Sequence, residues 1–137
     1  MNEIVVDASA FVKLLVCETG TTRMNELEAV TQLVAPDYLR IETANVLWKM
    51  VRWREMTPDQ ALRRLEAARR FDIELQPSSE LLEEALALAC QLPHSLYDTL
   101  YLLVALKGGR PLATADARMR EAAEALGIRV EWVGAEA

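Results

Sequence analysis

Short apolar runs rich in β-branched residues alternate along this chain with longer stretches of helical period. Glu3–Val6 is the first such run; it reads as a short buried strand that ends at Asp7. Residues 8–16 then keep a helical spacing, with Gly20 placed to terminate it. A weakly amphipathic helix is predicted over residues 22–30, a strand over 33–35 that stops before Pro36, and a long helix over 38–55 capped by Asp37. Thr57-Pro58-Asp59-Gln60 has the form of a helix start, with Thr as cap, Pro in the first turn and Gln three residues on. That helix is expected to reach about Arg70. A strand follows at 73–75, and Ser78 or Ser79 opens a helix to about Gln91. Ser95 opens the next helix and Gly108-Gly109 closes it. The remaining pattern predicts a strand at 112–114, a helix over 117–126 between Asp116 and Gly127, and a last strand at 128–133.

Short strands separated by helices imply an α/β fold: a mostly parallel sheet of four or five strands with helices on both faces. The chain has 137 residues, 52% hydrophobic and 26% charged, which fits one globular domain spanning residues 1–137 and excludes a disordered chain. No apolar stretch approaches the ~18 residues that a membrane span needs. The first residues carry no basic run of the kind that opens a signal peptide. Cys17 and Cys90 sit far apart in apolar stretches with no CxxC pair, so they are expected to be buried thiols of a cytoplasmic protein.

One residue disturbs the apolar pattern. Between Glu84 and Lys107 the sole formal charge is Asp98, in the run Leu96-Tyr97-Asp98-Thr99-Leu100-Tyr101-Leu102-Leu103-Val104. A helix apolar nearly all round is normally buried, and a carboxylate there is costly unless paired, protonated or bound to a metal. Asp7 and Asp116 follow two of the expected strands, where ligands gather in parallel sheets. Glu42 lies early in the long helix, on a polar stripe with Asn45, Lys49 and Arg52, beside an apolar stripe of Ile41, Ala44, Trp48 and Val51. Each acid also has a plainer reading. Asp7 and Asp116 suit helix N-caps, Glu42 suits a solvated helix face, and Ser95…Asp98 has capping-box spacing. Together, four acids on four elements, with no matching basic residue beside any of them, suggest a carboxylate cage. Mg²⁺ or Mn²⁺ would relieve their repulsion and prefers oxygen ligands.

Charge distribution adds a partner. The formal net charge is −6, yet the segment from Lys49 to Arg70 holds seven basic residues against three acids, leaving −10 for the rest. An acidic site next to a basic band suits a polyanion held by its phosphates and cut at a metal site; a solvated charged helical hairpin is the alternative. Lys49, Arg52, Arg63 and Arg64 are the expected contacts to the phosphates of that polyanion. Ser9 and Thr114, each two residues from an Asp, and Asn45 are candidate supports for the acids, or ordinary turn and surface residues. His94 is the only histidine, expected in a loop near the site. Trp48 and Trp53 suit core or dimer packing better than base stacking. Nucleotide-binding glycine motifs are absent.

Val5-Val6-Asp7-Ala8-Ser9-Ala10 resembles the opening motif of PIN domains. The family's second, third and fourth acids are matched by Glu42 in Ile41-Glu42-Thr43-Ala44-Asn45, Asp98 in Tyr97-Asp98-Thr99-Leu100-Tyr101 and Asp116 in Thr114-Ala115-Asp116. The resemblance covers the whole chain in order. It implies a metal-dependent endoribonuclease whose Asp7, Glu42, Asp98 and Asp116 carry catalysis and hold Mg²⁺ or Mn²⁺. At this length it further implies a VapC-type toxin of a toxin–antitoxin pair, restrained by a cognate antitoxin and usually a homodimer. Two other readings stay open: a metal-dependent hydrolase of small phosphoesters, and a catalytically silent PIN-fold binding module. A phosphatase of the DxD type is disfavoured, because the second position is Ser9.

Overall fold

The computed structural model describes residues 2–135. Five strands form one parallel sheet: β1 (Glu3–Val6), β2 (Gln32–Pro36), β3 (Ile73–Gln76), β4 (Leu112–Thr114) and β5 (Val130–Trp132). Their spatial order is β3-β2-β1-β4-β5, and every neighbouring pair is parallel. The helices are α1 (Ala8–Phe11), α2 (Thr21–Val30), α3 (Tyr38–Arg52), α4 (Pro58–Ala68), α5 (Leu82–Gln91), α6 (Leu96–Gly108) and α7 (Ala117–Ala125). Short 3-10 turns cover Val12–Leu14 and Ser78–Glu80.

Strands buried on both faces read as unbroken apolar runs, and Ile4-Val5-Val6 and Leu33-Val34-Ala35 are all but inaccessible. The chain moves outward from β1 through β2 to β3, then crosses back to β4 and on to β5. Right-handed crossovers therefore put α1–α4 on one face and α5–α7 on the other. The reversal falls between β1 and β4, which pair through Val5↔Leu112 and Val6↔Ala113. Chain ends that diverge at such a point leave a crevice outside the strand C-termini. From Thr99 to Ala105, α6 is buried, packed on β1 and β2 and against α5. Among the described residues, no helix is long and apolar enough to cross a membrane.

Several local expectations give way to tertiary context. The helix expected over 8–16 breaks into α1 and a 3-10 turn. Gly20 does not end a helix; at φ 95° it stands before the first residue of α2. Asp37 makes no side-chain cap for α3, because its Oδ1 accepts from the Ser78 N–H at 3.0 Å and joins the starts of two elements. Strand β2 runs through Pro36: pairing with β1 has already ended at Val34, and the next N–H, on Asp37, bonds the Gln76 carbonyl at 2.8 Å. The buried stripe of α3 is Leu39, Thr43 and Leu47, whereas Ile41 and Trp48 are exposed, as is Trp53. The apolar stripe read from sequence lies on the outer face of that helix, and neither tryptophan is in the core. Cys17 and Cys90 are also exposed, Cys17 in the loop before α2 and Cys90 on the outer side of α5.

Candidate active site

Strand β1 carries the chain out of the sheet into α1, so the residue between them must cap the helix. Asp7 does so: its Oδ1 accepts from the Ala10 N–H at 2.9 Å and from the Ser9 hydroxyl at 2.7 Å. Its Oδ2 accepts from the Thr114 hydroxyl at the end of β4. Asp7 is only 3% exposed. Burial pushes its carboxyl up to about 6, against the pull of the Thr114, Ser9 and Ala10 hydrogen bonds, with a small addition from the charge of Glu42. The two supporting hydroxyls continue the network. Ser9 Oγ accepts from the Ala115 N–H at 2.9 Å, and Thr114 Oγ1 accepts from the Asp116 N–H at 3.0 Å. Asp116 in turn caps α7, its Oδ1 accepting from the Arg118 N–H at 2.9 Å. For Asp7 and Asp116 the capping and cleft-facing roles hold together, because a helix begins where each strand ends.

Helix α3 brings Glu42, half-buried, to the same place. The hydroxyl of the fully buried Tyr101 on α6 donates to Glu42 Oε1 at 2.7 Å. Burial raises the Glu42 carboxyl, the Tyr101 bond offsets part of that, and the charges of Asp98 and Asp116 add to the rise while Lys49 opposes it. Burial between these groups also pushes the Tyr101 phenol far up, so it remains a donor. Asp98 stands in the first turn of α6, where the Ser95 hydroxyl accepts its N–H at 3.1 Å. The reciprocal half of the capping box is not made, so the carboxylate stays free of the helix start. It is not a core charge either: its side chain is 29% exposed. Its carboxyl is raised, by burial first and then by Asp116, with His94 and Arg118 acting the other way. His94 lies in the turn before α6, its Nδ1 3.9 Å from Asp98 Oδ2.

Asp7, Glu42, Asp98 and Asp116 all line one open cleft of about 380 Å³ at the point where β1 and β4 diverge. Ser9 lines it too. The cleft also holds Lys49 of α3, read from sequence as a substrate contact on the Glu42 stripe, and two residues that sequence reasoning did not assign, Lys13 and Glu18 from the segment after α1. The expectation that the acids have no basic neighbour is corrected by Lys13 and Lys49. Spacing gave some signal for Lys49, seven residues or about two helical turns beyond Glu42, but none for Lys13. Tyr101 was legible only as the aromatic one turn after Asp98. Of the other assigned residues, Asn45 is exposed on α3 and outside the cleft. Arg52 lies over the Trp48 ring at 5.7 Å, and Arg63 and Arg64 are exposed on α4. A more enclosed hollow of about 150 Å³ lies below α3 and α4, lined by Phe11, Leu39, Leu65, Ile73 and Leu75; it contains no acid.

The donor set of the cleft is all oxygen, which suits a hard divalent cation over zinc or copper. Among the described residues, no three acid, His or Cys side chains stand close enough to grip an ion as they lie. Unneutralised carboxylates repel, and the raised Glu42 and Asp98 carboxyls record that repulsion in part. The four acids therefore fit a divalent ion by chemistry and by shared cleft.

Residues 4–125 match the PIN domain, and the chain belongs to that family. It is 33% identical to Ribonuclease VapC3 of Pyrobaculum aerophilum over 127 residues, 90% of this chain and 97% of that protein. The crystal structure of PAE2754 from Pyrobaculum aerophilum superposes with a TM-score of 0.68 at 25% identity, over 94% of this chain and 83% of that one.

Proposed function

We propose that this protein is a Mg²⁺- or Mn²⁺-dependent endoribonuclease, the toxin of a VapC-type toxin–antitoxin pair. The observation that carries the reading is the convergence of Asp7, Glu42, Asp98 and Asp116, from four separate elements, on one cleft. Membership of the PIN family and the likeness to a VapC ribonuclease support it. Asp7, Asp98 and Asp116 would hold the ion, with Glu42 as a further ligand or as the group that orients water. When bound, the ion supplies Lewis acidity that activates water at neutral pH and neutralises charge building on the phosphate.

The rest is work for the protein's own side chains. Ser9 and Thr114 lock the Asp7 carboxylate in orientation, and Tyr101 does the same for Glu42. Lys49 at the cleft, with Arg52, Arg63 and Arg64 further along α3 and α4, would bind RNA phosphates, contacts that position the substrate without reading its sequence. Choice of RNA then rests on shape and unstacked loops. The partners are RNA, a cognate antitoxin and a second copy of the chain, for which exposed Ile41 and Trp48 on α3 and Leu82 and Leu86 on α5 offer apolar surface. The expected compartment is the cytoplasm.

The test sets antitoxin-free protein with Mn²⁺ or EDTA against total RNA and a chromogenic small phosphomonoester. RNA cleavage only with Mn²⁺ is expected. Turnover of the small ester alone would make the protein a phosphoester hydrolase, and no turnover of either would make it a silent binding module.

A further inference from the structure

The segment after α1 carries a device outside the acid network. Lys13, six residues beyond Asp7, is 8% exposed, and burying an ammonium requires a compensating anion. Its Nζ donates to Glu18 Oε1 at 3.2 Å, and both residues line the acid cleft. The backbone around the pair is latched. The Thr21 hydroxyl donates to the Lys13 carbonyl at 2.9 Å and accepts from the Glu18 N–H at 2.9 Å. Gly20, at φ 95°, packs so tightly that a β-carbon would run into the Val133 carbonyl and the Lys13 side chain. Stem, partner and loop are thus all fixed, and they aim a cation into a cleft of carboxylates.

An ammonium has three donors. Among the described residues only Glu18 accepts from Lys13, so two donors remain for something that enters the cleft. Burying an ion pair costs desolvation, and a pair built merely to pin the loop would have no reason to face the acids. We propose that Lys13 binds a non-bridging oxygen of the scissile phosphate, with Glu18 as the positioning residue that holds its side chain in place. The inference rests on the phosphodiesterase reading above. In hydrolysis the water oxygen bonds to phosphorus as the P–O3′ bond breaks. The 3′ oxygen leaves with the bonding pair and ends with the proton that water gives up, so the products carry a 5′-phosphate and a 3′-hydroxyl. Lys13 keeps its protons throughout; it supplies a fixed positive charge where negative charge accumulates on the phosphoryl oxygens.

Two measurements decide it. Single-turnover RNA cleavage in Mn²⁺ is expected to slow by about 10²–10³-fold in Lys13→Met, the usual cost of one such donor, with partial recovery in Lys13→Arg. Glu18→Gln is expected to lose no more than about tenfold, because the lysine persists. Equal losses in Lys13→Met and Glu18→Gln would mean that the pair only pins the loop, and would overturn the proposal. The second measurement titrates metal-free wild type with the 5′-phosphorylated dinucleotide pUpU and follows the Lys13 side-chain nitrogen by NMR. A saturable shift supports the contact; an unmoved signal overturns it. This readout also decides the matter if Lys13→Met fails to fold. Wild type that cleaves no RNA would remove the nuclease reading, and the titration would still rule on Lys13.

Discussion

The Thr114 hydroxyl at the end of β4 donates to Asp7 Oδ2 at the end of β1 and at the same time accepts the Asp116 N–H. One side chain therefore ties together two of the four acids across the point where the sheet reverses direction. Asp7 and Asp116 are held by the fold's own strand ends, not by a flexible loop.

Thr114→Val keeps the shape and removes both bonds, leaving buried Asp7 and the Asp116 N–H each short of a partner. The variant should lose about 1–3 kcal/mol of stability. It should also raise the Asp7 carboxyl further, since the strongest of its opposing hydrogen bonds is gone. Urea unfolding at neutral pH measures the first effect. A variant as stable as wild type would show that the contact carries no net energy.

Asp7 makes metal-free stability depend on pH in a defined direction. Its carboxyl rises from 3.8 to about 6 on folding, so the folded state binds this proton more tightly. The resulting stability is fully present below 3.8 and is lost as pH climbs through 6. For a shift of this size the loss is about 3 kcal/mol. Asp7→Asn lacks that titration, so in EDTA it should be more stable than wild type near pH 7.5, with the gap closing as pH falls from 6 toward 4. Melting curves across that range report it, and parallel pH profiles for the two proteins would contradict the burial argument.

Tyr101→Phe strips Glu42 of the one side-chain donor it has among the described residues, within a partly buried site. A bond to a charged acceptor is worth roughly 1.5–3 kcal/mol, so the metal-free fold should weaken toward that extent and the Glu42 carboxyl should move higher. Calorimetric titration with Mn²⁺ should show weaker binding than wild type at the same pH. Unchanged affinity would detach Glu42 from the ion.

Lys49→Gln tests the RNA path. Losing one phosphate contact should make the log–log salt dependence of RNA binding shallower by about 1. Replacing Arg63 and Arg64 together should flatten it further if RNA follows α4. An unchanged slope in the double variant would confine RNA to the cleft and α3.

The three central strands were legible because they are short buried runs, mostly apolar, that need no partner information: Ile4-Val5-Val6, Leu33-Val34-Ala35 and Leu112-Ala113-Thr114 all appear where their composition puts them. The capping box at Thr57–Gln60 was equally local, and both reciprocal bonds form. The misreadings are tertiary in origin. Ile41 and Trp48 have helical spacing and look like a core stripe, yet the sheet meets α3 through Leu39, Thr43 and Leu47. Asp37 precedes a helix but is claimed by Ser78, 41 residues away. The acids stood out because a carboxylate within apolar sequence is costly. Lys13 did not, because a lysine after an apolar turn looks like ordinary surface until the loop from Glu18 to Thr21 folds back on it.

The central claim is that the acid cleft cuts RNA with a divalent metal. Its most direct test compares wild type in Mn²⁺, wild type in EDTA and Asp98→Asn in Mn²⁺ on total RNA, with sequencing of new 5′-phosphate ends. Asp98 is partly exposed and, among the described residues, its carboxylate makes no capping-box bond to the Ser95 N–H, so the variant should fold as wild type does. Discrete new ends from wild type with Mn²⁺ alone are the predicted result. Cleavage that persists in Asp98→Asn or in EDTA would contradict the account.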